Sequence, residues 1–299
     1  MAFSYRDEEQ TIKSNAESTM VRSSDGCALA VFNHGGSGPD LLIAHATGFN
    51  AAAYGPLANE LVASFRVWTM DLRGHGQSTS YESGLRWQAF ADDIGAAALW
   101  IKARDGYSGT LCAFGHSMGG SATIIAAIAD RRLFDQVITY EPIVFTGDTN
   151  GEGAQRAAAA ARNRREIFAS RSSALEHFAS KPPLNSLRAD ALAGYVAGGF
   201  IDLPDGTVRL ACRGAFEADV LSATDKLTID ELDKLEIPIT LCTGRPTAQA
   251  PFLAMSSAAA QRLGLPEPIV HTDIGHLGPL ESPSTIASTI RSVIRDAGT

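Results

Sequence analysis

Apolar positions recur with two different periods along this chain, and the period switches repeatedly. Compact apolar runs at Cys27–Asn33, Leu41–His45, Arg66–Asp71, Thr110–Gly115 and Gln136–Glu141 read as strands. Between them, Tyr54–Ala63, Leu85–Arg104 and Met118–Ala129 read as helices. In Leu85–Arg104 the residues Trp87, Phe90, Ala91, Ile94, Ala98 and Ile101 fall on one stripe of a 3.6-residue period. Strands that alternate with helices return through crossovers, which favours parallel pairing. Wholly apolar runs such as Leu41-Leu42-Ile43-Ala44 suit strands covered on both faces.

The rhythm changes from Pro142 to about Lys226. Ala154–Arg171 reads as an Ala-rich helix, Lys181-Pro182-Pro183 breaks the chain, and Leu187–Phe200 reads as helix again. Leu203-Pro204-Asp205-Gly206 carries turn chemistry. Alternation then resumes with a strand at Ile237–Thr243, a helix at Phe252–Leu263, a strand at Ile269–Thr272 and a closing helix at Ser284–Asp296. The simplest division is a core of residues 1–141 and 227–299, interrupted at 142–226 by a helical insertion. Phe145, Phe168, Phe178, Leu184, Tyr195, Phe200 and Phe216 are expected to form that insertion's own apolar centre.

Composition narrows the class. With 45% hydrophobic and 19% charged residues in 299, the chain has the balance of a folded globular protein and not of a disordered one. Against 33 acidic residues stand 25 basic ones, a net charge of −8, which speaks against nucleic acid as a partner. The densest basic cluster, Arg162, Arg164 and Arg165, is expected on a solvated helix face. Cys27, Cys112, Cys212 and Cys242 lie far apart without a C-x-x-C, so free, buried thiols are expected. The N-terminal MAFSYRDEEQ has no apolar signal-peptide region, and the uncharged stretch Gly106–Ala129 is too rich in glycine for a lipid-facing helix. A cytoplasmic protein without stable membrane insertion is the expectation.

The chemical signal is Gly115-His116-Ser117-Met118-Gly119, a G-x-S-x-G between an expected strand and an expected helix. That placement lifts the serine above the sheet edge on a sharp turn, with a helix N-terminus behind it that favours negative charge. Here the sequence resembles the α/β-hydrolase superfamily. His45-Ala46-Thr47-Gly48-Phe49 stands where that family has its oxyanion loop. Asp71-Leu72-Arg73-Gly74-His75-Gly76-Gln77-Ser78 is similar to its D-x-R-G-x-G-x-S turn, and Gly275-His276-Leu277 stands where its catalytic histidine follows the last strand. The wording of the oxyanion loop and of Tyr140-Glu141-Pro142-Ile143 is also similar to a bacterial, serine-nucleophile, esterase-like subgroup. The resemblance implies an α/β-hydrolase fold: a mostly parallel eight-stranded sheet flanked by helices, with the 142–226 segment as a helical cap.

The resemblance also implies a nucleophile, a base and an orienting acid. Ser117 is the nucleophile. Of the seven histidines only His276 combines a post-strand loop with the Ser–acid–His order. His45 and His75 are expected to make structural hydrogen bonds, and His116 occupies the variable position of the elbow. No Asp or Glu lies between Glu236 and Glu267, so the family's usual acid site is empty. Glu141, at the end of the preceding core strand, is the expected acid; Asp148, Asp273 or a serine–histidine pair without a carboxylate remain as alternatives. The backbone N–H groups of Met118 and Thr47, with Gly48 as an alternative to Thr47, are expected to form the oxyanion hole.

Serine at 117 is wrong for the family's epoxide hydrolases and haloalkane dehalogenases, which need a carboxylate nucleophile. No G-x-G-x-x-G, Walker motif or H-E-x-x-H is present, so neither cofactor nor metal is expected. The leading expectation is a serine hydrolase cleaving carboxylic esters of small to medium apolar substrates through an acyl-enzyme. Alternatives are a carbon–carbon bond hydrolase of a diketone-like ring-cleavage product, an acyltransferase or perhydrolase, and a non-catalytic ligand-binding member of the fold. A small-molecule ester is the expected partner, and a homodimer is left open.

Overall fold

The computed structural model describes residues 17–79, 85–147, 151–245 and 251–296. Eight strands form the main sheet: β1 (Glu17–Arg22), β2 (Ala28–Gly35), β3 (Asp40–Ala44), β4 (Arg66–Met70), β5 (Leu111–His116), β6 (Gln136–Tyr140), β10 (Ile239–Thr243) and β11 (Ile269–Val270). Their order across the sheet is β1-β2-β4-β3-β5-β6-β10-β11. The first two pairings, β1 with β2 and β2 with β4, are antiparallel, and every later one is parallel.

Alternation along the central strands divides the core into two layers. Leu42, Ala44, Leu111, Ala113 and Val137 face one way, toward α2 (Trp87–Lys102), α3 (Met118–Ala129) and α8 (Phe252–Arg262). Leu41, Ile43, Cys112, Phe114 and Ile138 face the other, toward α1 (Gly55–Leu61) and α9 (Pro283–Asp296). A strand whose two faces are both covered gains from apolar residues at every position, which is why these runs read as continuous rather than alternating. β1 escaped the sequence reading because, as the half-exposed edge strand, it carries no such run.

Between β6 and β10 the chain leaves the sheet. Here the expected helical insertion is only partly helical. Besides α4 (Glu152–Arg162), α5 (Arg171–Ala179), α6 (Ala189–Gly198) and α7 (Gly214–Ser222), it holds a three-stranded sheet of β7 (Ile167–Phe168), β9 (Val208–Leu210) and β8 (Phe200–Asp202), all antiparallel. The single helix expected over Ala154–Arg171 stops at Arg162, and Phe200 begins a strand rather than closing a helix. Strands of two or three residues are too short for a period to show. The expected turn is there: Leu203–Thr207 closes the β8–β9 hairpin, with the Leu203 N–H donating to the Thr207 carbonyl at 2.9 Å.

Rings of Phe168, Phe178, Phe200 and Tyr195 meet at centroid distances of 5.4–5.7 Å along the chain Phe200–Phe168–Phe178–Tyr195 and make the insertion's centre. Arg164 is not on a solvated face. Its guanidinium turns inward to pair with Glu217 and donates to the Tyr195 hydroxyl at 3.2 Å. All four cysteines are free and buried. Among the described residues no helix is long and apolar enough to cross a membrane.

Candidate active site

The parallel strands point their C-terminal ends at one edge of the sheet, and the expected site residues collect there. Ser117 sits between β5 and α3 with φ 55° and ψ −124°, backbone angles that a side-chain-bearing residue adopts only when its surroundings enforce them. The enforcement comes from two glycines. A Cβ on Gly115 would stand 2.5 Å from the Gly120 Cα, and one on Gly119 2.3 Å from the His45 carbonyl oxygen. Strand, helix and oxyanion loop therefore cross at backbone distance, which only glycine allows. The Ser117 N–H donates to the Tyr140 carbonyl at 2.9 Å and pins the turn to β6.

Glu141 follows β6 directly, also at positive φ (46°), and is 2% exposed. Its Oε2 lies 2.5 Å from His276 Nδ1. Because a carboxylate only accepts, Nδ1 carries the proton and Nε2 is left as the basic nitrogen. The other oxygen, Oε1, accepts from the Thr243 hydroxyl at 3.0 Å and from the Gly244 N–H at 2.7 Å. The loop that lacks the family's usual acid thus supplies donors that hold an acid arriving from the neighbouring strand. Asp273 is exposed, and Asp148 lies outside the described residues. The ring of His276, about a third exposed, stacks on Phe252 with centroids 4.1 Å apart and planes 8° from parallel.

The oxyanion loop is tied down group by group. The Ala46 N–H donates to the Tyr54 hydroxyl at 3.0 Å, the Gly48 N–H to His75 Nε2 at 3.0 Å, and the Phe49 N–H to the Ala46 carbonyl at 3.1 Å. Among the described residues the N–H groups of Thr47 and Met118 have no such partner. Gly48, the alternative to Thr47, already spends its donor on His75.

The 71–78 turn is the platform beneath this loop. Asp71, fully buried, accepts from the Ala51 N–H at 2.7 Å and the Gln77 N–H at 2.8 Å. Burial pushes its carboxyl up to about 7, against the pull of those two donors. Arg73 forks onto Asp93 of α2 at 2.6 and 2.7 Å and reaches Asp25 at 2.8 Å. His45 accepts the Leu72 N–H at Nε2, 2.9 Å, and donates from Nδ1 to the Ala46 carbonyl at 2.8 Å. His75 likewise donates from Nδ1 to the Arg73 carbonyl at 2.9 Å. Both rings are used at both nitrogens, so both stay neutral; burial lowers His45 well below the usual range and His75 to about 4. The expectation of structural hydrogen bonds at these two residues holds.

Several participants left no mark in the sequence. The Gly244 donor is a backbone group, Thr243 reads as an ordinary strand residue, and Phe252 reads as the start of a helix. From above, α7 lays Glu217 over Gly48 and sets Phe216 edge-on against His75, ring centroids 5.7 Å apart.

The family model described as "Alpha/beta hydrolase family" matches residues 41–289. A 2-(acetamidomethylene)succinate hydrolase of Mesorhizobium japonicum is 25% identical over 240 residues, covering 79% of this chain and 81% of the relative. The crystal structure of an E-2-(acetamidomethylene)succinate hydrolase superposes with a TM-score of 0.79 at 22% identity, over 94% of this chain and all of that one. An N-formylmaleamic acid deformylase from Pseudomonas putida S16 matches with a TM-score of 0.66 at 19% identity, over 92% of this chain and all of that one.

Proposed function

Since the chain belongs to the alpha/beta-hydrolase family, we propose that it is a serine hydrolase in which Ser117 attacks an acyl carbon, His276 moves the proton and Glu141 orients His276. The observation that carries this reading is the 2.5 Å bond from His276 Nδ1 to a carboxylate that is itself held by Thr243 and Gly244. Such a carboxylate fixes the imidazole tautomer and stabilises the imidazolium that forms when Ser117 gives up its proton. The unspent N–H groups of Met118 and Thr47 then receive the developing oxyanion, and a water cleaves the acyl-enzyme. The 142–226 segment, seated over Gly48 and His75, acts as the cap that screens the site from water.

For the substrate, the relatives support the carbon–carbon alternative better than a simple carboxylic ester. Their names print an acetamidomethylene succinate and an N-formylmaleamic acid, acyl groups borne on conjugated, carboxylate-bearing units rather than on a plain alcohol. A diketone-like ring-cleavage product shares that feature: its leaving fragment departs as a stabilised enol. Only its bond to the acyl carbon differs from an acylated enamine, and the same serine, histidine and oxyanion groups serve either bond. We therefore propose a substrate among acyl compounds whose leaving group is an enolic, enamine-like or amide-bearing unsaturated acid.

The test is a three-way comparison with Ser117→Ala as control: a p-nitrophenyl ester chain-length series, a vinylogous diketone acid and an N-acyl enamine diacid. Turnover of either acid above that of the best ester is the expected result. Efficient turnover of the esters alone would return the protein to the carboxylesterases. No turnover, with no labelling of Ser117 by a fluorophosphonate, would leave it a binding member of the fold.

A further inference from the structure

His116 occupies the variable position of the elbow, yet its ring is fully buried and both nitrogens are engaged. Nε2 lies 2.8 Å from the backbone carbonyl oxygen of His276. A carbonyl cannot donate, so the Nε2 proton belongs to His116, and Nδ1 of the neutral ring must accept. The group facing Nδ1 at 2.6 Å is the Tyr54 hydroxyl, which must therefore donate to it. Its oxygen is then free to accept, and it accepts the Ala46 N–H at 3.0 Å. Each direction follows from the one before it.

We propose that Tyr54 and His116 are positioning residues that couple the oxyanion loop to the His276 loop. The inference rests on the hydrolase reading above. The chain runs from the Ala46 N–H to the Tyr54 oxygen, from the Tyr54 proton to His116 Nδ1, and from the Nε2 proton to the His276 carbonyl. Ala46 directly precedes Thr47, the proposed oxyanion donor; His116 directly precedes Ser117; His276 is the proposed base. One path of three hydrogen bonds thus links positions next to Thr47 and Ser117 with the backbone of His276 itself. Misplacing reacting groups by about 1 Å can cost on the order of a hundredfold in rate. Neutrality of His116 is part of the device, and its surroundings enforce it: burial chiefly, then the neighbouring His276 and His45, disfavour its charged form.

Tyr54→Phe removes one hydroxyl and keeps the ring. Assayed below the unfolding transition, it is expected to lower kcat about tenfold or more with KM within about twofold, and to slow fluorophosphonate labelling of Ser117 in step. His116→Gln is expected to lower kcat as well. The Tyr54→Phe/His116→Gln pair should fall no further than His116→Gln alone, because both cut the same path. Nitrogen-15 spectra of labelled wild-type protein should show His116 as the Nε2–H tautomer across neutral pH. A folded Tyr54→Phe with wild-type kcat, losses that multiply in the double variant, or a proton on Nδ1 would each overturn the proposal. If the wild type neither labels nor turns over, the hydrolase reading fails instead, and with it the coupling's catalytic meaning; the tautomer measurement needs no substrate and still decides the wiring.

Discussion

Glu141 shows how far a single side chain can be read and where the reading stops. The carboxylate gap between Glu236 and Glu267 is plain in the sequence, and so is a glutamate at the end of the preceding strand. What holds that glutamate is not plain, since one donor is the peptide of Gly244 and the other a threonine that any strand would carry. These bonds make two graded outcomes. Glu141→Gln replaces an acceptor by an amide and takes away the negative charge facing the imidazolium; kcat should drop by about 10⁴, the size known for the acid of a serine-protease triad. Thr243→Val removes one of the two donors to Oε1 and should cost about tenfold or more, on the order of one neutral-to-charged hydrogen bond. Asp273→Asn should leave kcat unchanged. A steady-state series on the best substrate ranks the three, and an Asp273 effect equal to that of Glu141 would reverse the assignment.

At the scale of elements, the elbow was legible because its constraint is steric and local. A strand, a G-x-S-x-G and a helix can be joined in few ways, and the glycines lie where backbones touch. Gly119→Ala tests this. The added Cβ would meet the His45 carbonyl at 2.3 Å and the Ala44 carbonyl oxygen at 2.7 Å, both main-chain atoms of the central sheet and its loop. Neither can rotate away, so the helix must shift. The loss should be about 3 kcal/mol or more, seen as a fall of about 6 °C or more in the melting temperature. A variant melting with the wild type would mean that the contact relaxes freely. The segment between β6 and β10 was legible only as a change of rhythm. Its strands are two or three residues long, and its order comes from long-range pairs that spacing does not reveal. Arg164 is the example: it sits in a basic, Ala-rich stretch that reads as a solvated helix, but Glu217 and Tyr195, 53 and 31 residues away, turn it inward and end the helix before it.

For the whole molecule, the net charge of −8 says nothing about the charges that matter to stability, which are the ones the fold suppresses. Four histidines are held neutral. Burial lowers His34 to about 4; it lowers His75 to about 4, and places His45 and His116 well below the usual value of 6.5. A histidine with a depressed value in the fold contributes stability above its unfolded value, and that stability is lost as pH falls through the interval between the two. For His34 and His75 the interval runs from 6.5 to about 4, worth roughly 3 kcal/mol each. Asp71 works in the opposite sense. With its folded value raised from 3.8 to about 7, the native state binds its proton more readily than the unfolded chain does, so its contribution grows as pH falls over the same range. His177 and His271 are lowered as well, while Asp93, raised by burial, sides with Asp71. The lowered histidines outnumber the raised carboxyls, which gives the sign: the melting temperature should fall steadily from pH 7 toward pH 4.5, well before the exposed carboxylates titrate. Asp71→Asn removes the more strongly buried opposing group and should make the fall steeper. His75→Asn, which cannot take up a proton, should make it shallower. A melting temperature that stayed level between pH 7 and pH 5 would mean that the buried histidines charge without cost, and that the hydrogen bonds fixing the oxyanion loop survive a proton on the ring nitrogen that accepts the Gly48 N–H.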